Sequence, residues 1–290
     1  MKKIISIALA LLMAVSVFAF TACNNDSSTE YKAQDAADLL QEDFGIAIKK
    51  GDTAMKDAVN EVINEWTEDG TIEDYIDYYQ NLADYEEGII DTKPDAGSLK
   101  TSWSFGNGGT ITVYTESGFA PFEFLSGNKV IGVDIAIMSE VAERLGKSID
   151  IQDVSFNTIP TCVKNASGDA VGAAGLTIDD ERKQSVDFSV PYFKSTLVVV
   201  SANGQYDSLK DLDGLTVGVQ EGTSGDKIAT DANSGYTYTK ENGETVTINA
   251  SIDVKQYDKY ASAFADLKNG RIDAILMDKI PAITMLSSIG

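Results

Sequence analysis

Histidine is absent from the sequence, and cysteine occurs only at Cys23 and Cys162. The first absence removes Ser-His-Asp and Cys-His catalysis and the commonest metal ligand. No metal or cofactor is expected. Two cysteines, one of them in the N-terminal leader region, leave no intrachain disulfide framework. Positive charge is also scarce: 23 Lys and Arg face 45 Asp and Glu, a net charge of −22. Nucleic acid and anionic lipid headgroups are therefore poor partners, though the plainest reading of the acidity is a solvated surface. The longest apolar run, Ile4 to Phe20, is short for a membrane span, which takes about 20 residues.

Lys2 and Lys3 ahead of that run give residues 1–22 the form of a signal peptide, which is removed and carries no fold. Phe20-Thr21-Ala22-Cys23 resembles the lipobox of bacterial lipoproteins, which implies lipidation of Cys23 and a membrane anchor. The alternative is an ordinary secretory signal with a chance cysteine. Residues 23–30 then read as a polar tether. Cys162 lies in an apolar helical segment and is expected as a small buried core residue.

Residues 52–66 place Met55, Ala58, Val59, Val62, Ile63 and Trp66 on one helical face, with Asp52 as cap and Gly70 beyond the end. A second short helix starts at Thr71, with Ile72, Tyr75, Ile76 and Tyr79 on one side. Residues 91–109 are rich in Gly, Ser and Thr and lack periodicity, and the linker is expected over 81–109. From Thr110 strands and helices alternate. Strands are expected at 110–114, 149–154, 171–177, 196–201, 215–219 and 272–277. Such alternation predicts parallel sheets with helices on both faces. Ligands then bind at the carboxyl ends of strands.

The loops after those strands share a chemical theme. They carry Glu116 and Phe119, then Thr177 and Arg182, then Thr223 and Ser224 at a helix start, then Asp278. Arg182 suits a carboxylate through two parallel bonds. The Thr223 and Ser224 hydroxyls and the amides behind them offer donors aided by the helix dipole. Asp278 suits an ammonium, and Phe119 with Phe156 an aliphatic sandwich. Together they fit a zwitterion. A single arginine after a strand is, taken alone, more often a surface residue.

GFAPFEFLSGNKVIGVDIAIMSEVAERLG, AAGLTIDDERKQSVDFSVPYF, VGVQEGTSGD and LKNGRIDAILMD resemble signatures of the family 3 extracellular solute-binding proteins, the amino-acid receptors of ABC importers. The resemblance implies a two-lobed α/β, periplasmic-binding-protein-like (flytrap) fold of type II. It implies that Arg182 holds the ligand α-carboxylate with Thr177, Thr223 and Ser224, and that Asp278 and the Gly175 carbonyl take the α-ammonium. Phe119 and Phe156 pack on the ligand side chain, and Glu116 faces it. Two departures stand out. The aspartate before the 171–177 stretch falls one position early, and Gly175 replaces a hydroxyl found in some members.

EDFGIAIKKGD, Glu42 to Asp52, resembles a stretch that in this family follows the second lobe and returns to the first. Here it precedes both. DKIPAITMLSSIG, followed by residues 31–80, reads as continuous family sequence, which implies circular permutation. The rival reading is a fragment of a tandem protein. The expected organisation is the end of lobe 2 at 31–43, a hinge strand and closing helices of lobe 1 at 44–80, the 81–109 linker, lobe 1 at 110–193 and lobe 2 at 194–290. The expected partners are an amino-acid ligand, separate permease subunits and the membrane through lipid only. Two alternatives share the fold. One is a ligand-sensing module; the other is a cyclohexadienyl-dehydratase-like enzyme, for which Glu116 is the one evident acid or base.

Overall fold

The computed structural model describes residues 29–36, 39, 41–239 and 243–287. The leader, Cys23 and Gly290 lie outside them. Seven helices are described: α1 (Thr53–Glu68), α2 (Thr71–Glu86), α3 (Val133–Arg144), α4 (Ile159–Asn165), α5 (Ser224–Ala232), α6 (Tyr260–Lys268) and α7 (Lys279–Ser287). None of them is long and apolar enough to cross a membrane.

Two five-stranded sheets form the lobes. In the first, the order is Val186–Phe188, Ala47–Lys49, Ala170–Gly172, Thr110–Thr115, Ser148–Asp153. In the second, it is Tyr31–Asp35, Leu197–Ala202, Ala274–Asp278, Thr216–Gln220, Asp253–Tyr257. Between the lobes, Glu42–Phe44 pairs antiparallel with Phe193–Ser195 and forms the two-stranded hinge. The early segment therefore supplies a strand to each sheet and one to the hinge.

Both sheets are mixed rather than parallel. The Thr110–Thr115 and Thr216–Gln220 strands pair parallel with their neighbours. Ala47–Lys49 runs antiparallel to both its neighbours, and Leu197–Ala202 does the same. The all-parallel expectation is thus corrected. Hydrophobic alternation marks where a strand lies but not which way a crossing strand enters the sheet. A hairpin, Tyr236–Thr239 with Thr245–Ile248, and a three-stranded meander over residues 118–131 were not expected either.

The helical face read from residues 52–66 is the buried one: Met55, Val59, Val62, Ile63 and Trp66 are in the core. Asp52 caps α1, its Oδ1 accepting from the Met55 amide at 3.0 Å. α2 runs six residues past the expected boundary at 80 and buries Leu82 and Ala83 as well. The end of the expected linker is docked rather than free. Glu140 on α3 accepts from Lys100 Nζ at 2.8 Å and from Trp103 Nε1 at 3.0 Å, and the Tyr75 hydroxyl donates to the Lys100 carbonyl at 2.7 Å. Cys162 is half-buried rather than in the core, because α4 is a short surface helix that buries only Ile159 and Val163.

Candidate functional site in the interlobe cleft

The expected strand over 171–177 ends at Gly172, and residues 173–177 form a loop that turns into the cleft. Gly175 has φ +54°, and a Cβ there would meet the Phe119 ring at 2.8 Å. Glycine serves both needs, left-handed backbone and close approach to an aromatic wall. Its amide donates to Asp134 Oδ2 at 3.0 Å.

Eight of the expected residues converge on one space. Glu116, Phe119, Phe156, Gly175 and Thr177 come from lobe 1, and Thr223, Ser224 and Asp278 from lobe 2. Gln220 completes the wall. The space they leave is about 10 Å³ for the centre of a water-sized sphere, room for about one water. The lobes thus meet directly here. Gly222, with φ +80°, approaches Asn157 of the opposite lobe so closely that a Cβ would meet its Cβ at 2.7 Å.

Arg182 is placed differently. It lines an adjoining 610 Å³ pocket with Glu42, Phe156, Thr177 and Tyr236 rather than the small space. Its guanidinium donates to the Thr177 carbonyl and, across the cleft, to the Gly222 carbonyl, both at 2.8 Å. It pairs with Asp179 at 3.3 Å and stacks over the Phe156 ring at 5.5 Å. Burial pulls it below the ordinary arginine value, opposed by Asp179 and Glu42.

The hydroxyls divide their work. Thr223 is the N-cap of α5, accepting from the Asp226 amide at 3.2 Å and donating to the Gln220 carbonyl at 2.8 Å. Ser224 donates to Glu42 Oε2 at 2.5 Å, and Thr177 reaches the same oxygen at 3.3 Å. Glu116 is buried and spoken for: Lys259 Nζ lies 2.7 Å from Oε1, and Gln220 donates to Oε2 at 2.9 Å. Asp278 accepts from the Ser195 hydroxyl of the hinge.

The electrostatics are lopsided. Burial and the charge of Glu42 push Asp278 well above the ordinary carboxylate range. Burial also pushes Glu123 well above that range, raises Asp134 to about 7, and raises Glu42 against the pull of Ser224 and Arg182. Both Glu123 oxygens are buried without a hydrogen-bond partner. Of these carboxylates Glu42 lies within reach of the Arg182 charge, as Asp278 does, while Lys259 pairs with Glu116. Among the described residues no group of His, Cys, Asp and Glu has metal-binding geometry.

Sequence reasoning missed Glu42, Gln220, Glu123 and Lys259. Gln220 had a signal, since it ends a strand at its carboxyl side. Glu42 had a weaker one, lying beside the hinge stretch. Lys259 had none.

The family model for bacterial extracellular solute-binding proteins, family 3, matches residues 111–251. The arginine-binding extracellular protein ArtP of Bacillus subtilis is 31% identical over 58% of this chain and 60% of its own. The L-cystine-binding protein TcyJ of Escherichia coli is 29% identical over 61% of this chain and 62% of its own. The matched region thus spans about three-fifths of these relatives. The arginine-bound form of truncated ArgBP from T. maritima superposes with a TM-score of 0.53 at 33% identity, covering 61% of this chain and 77% of that one. With that cover and identity, and with two mixed sheets flanking a two-stranded hinge, the chain belongs to the family 3 bacterial extracellular solute-binding proteins and has their two-lobed type II fold.

Proposed function

We propose that the protein captures a cationic amino acid between its lobes and hands it to an importer in the membrane. One observation carries this reading: Thr177 of lobe 1 and Ser224 and Asp278 of lobe 2 line one space, the two hydroxyls 3.3 Å apart, with Arg182 of lobe 1 beside it. A zwitterion bridging such groups favours closure. Buried Asp278 in the wall, with Glu123 near enough for the two charges to interact and neither Glu123 oxygen hydrogen-bonded, favours a cationic side chain and disfavours an acidic one. Phe119 and Phe156 supply flat walls for its aliphatic part. Relatives named for arginine support a cationic ligand, and those named for histidine and cystine support an amino acid more broadly.

Binding rather than turnover suits Glu116, whose carboxylate is already engaged by Lys259 and Gln220 and is not poised as a free acid or base. The permease and ATPase are separate chains in this reading, and the lipobox-like Cys23 anchors the receptor by lipid. The chain is circularly permuted relative to its family. In support, the sequential matches begin near residue 110, while Tyr31–Asp35 and Ala47–Lys49 fill sheet positions in both lobes.

A thermal-shift series over the twenty amino acids tests the ligand class. Arginine or lysine should give the largest rise, since a ligand at 100 times its Kd adds about 2.7 kcal/mol of stability. Glutamate or aspartate giving the largest rise, or no amino acid giving any, would overturn the reading.

A further inference from the structure

Glu42 occupies the place where the proposed ligand carboxylate needs open donors. It opens the hinge strand Glu42–Phe44 and faces Ser195 across the antiparallel pair. Residues so paired project to the same side. Both reach polar groups of the cleft: Ser195 donates to Asp278, and Glu42 accepts from Ser224 of lobe 2 and Thr177 of lobe 1. A single oxygen, Oε2, takes both hydroxyls. Arg182 lies near enough for its charge to favour the Glu42 anion.

We infer that Glu42 is an internal stand-in for the ligand α-carboxylate, a residue of the hinge that competes with the ligand and so sets affinity and selectivity. The assignment rests on the amino-acid reading above. Two carboxylates on one pair of hydroxyls repel, so an incoming amino acid must displace Glu42. A cationic amine without a carboxylate leaves Glu42 seated and gains nothing from its removal. Burial already disfavours the Glu42 anion, which eases its displacement. The arrangement also gives the hinge a direct reading of occupancy, because the displaced side chain belongs to a strand connecting the lobes.

The test is calorimetric titration of the intact protein and of Glu42→Gln with two probes: L-arginine, and agmatine, its decarboxylated counterpart. Glu42→Gln should bind L-arginine at least about tenfold more tightly, since it removes the like charge. Agmatine affinity should stay within about twofold. Glu42→Ala, which removes the group rather than neutralising it, should show the same split, and thermal melting identifies any variant that has lost its fold. Equal affinity for L-arginine in both proteins overturns the assignment, as does an equal gain for both probes. Loss of both probes on Glu42→Gln would make Glu42 an ammonium acceptor instead. If neither protein binds any amino acid, the amino-acid reading itself fails and takes this assignment with it.

Discussion

Arg182 ties the two lobes together through one side chain. Its guanidinium is nearly buried, yet two of its hydrogen bonds end on backbone carbonyls, one in each lobe. Those bonds position a planar fork that can turn to a carboxylate. Arg182→Ala should cost about 2–5 kcal/mol of amino-acid binding, because a buried charge loses its partner. Arg182→Lys should recover little, since an ammonium cannot reproduce the bidentate fork. Calorimetry on the two variants checks both, and near-parental affinity in either would remove Arg182 from the carboxylate site. Loops after strand ends made Glu116, Phe119, Thr177, Thr223, Ser224 and Asp278 legible, because residue type and strand-end position coincide there. Glu42 and Lys259 were not legible as site residues. Each reaches the cleft only through the crossing of distant elements, which local sequence does not encode.

Among the elements, α1 was the most readable, because its apolar residues recur at helical spacing and that face is buried apart from half-buried Ala58. Ile63 is fully buried on that face. Ile63→Ala should destabilise the protein by about 2–5 kcal/mol, measured by denaturant unfolding; an effect below 1 kcal/mol would mean that α1 is not part of the lobe core. The 171–177 stretch reads as a strand because it is apolar up to Thr177, while Gly175 at φ +54° cannot continue a strand. The 81–109 stretch was misread for the opposite reason. Its composition is that of a linker, but Lys100 and Trp103 tie its end to Glu140. Gly106 packs so closely on the Gly146 carbonyl that a Cβ would lie 2.2 Å away. Gly106→Ala should therefore raise amide exchange over 100–108 while leaving α5 and α6 unchanged. Unchanged exchange over 100–108 would show that this packing is not needed to hold the segment.

For the whole molecule, the two-lobed architecture was legible in strand–helix alternation and in the family signatures, whereas strand direction was not. Its acidity has a thermodynamic consequence. Asp134 is fully buried and raised to about 7, chiefly by burial. An aspartate with a raised native value binds more protons folded than unfolded. Stability should therefore be highest below about pH 4 as far as this group is concerned, and should fall as pH rises towards 7. Asp134→Asn should flatten that fall, by as much as about 4 kcal/mol between the two ends. Urea unfolding across pH 4 to 8 reads the difference; parallel curves for the two proteins would contradict it.

The central claim is that one amino acid is held between the lobes with its ammonium on Asp278. It is tested most directly by calorimetric titration of L-arginine into the unaltered protein and into Asp278→Asn at neutral pH. The account predicts saturable binding at one site per chain, weakened at least about tenfold by the substitution, since the incoming ammonium draws the raised Asp278 into its anionic form and an asparagine cannot follow. Equal affinity in the two proteins, or no saturable binding to the unaltered one, would contradict it.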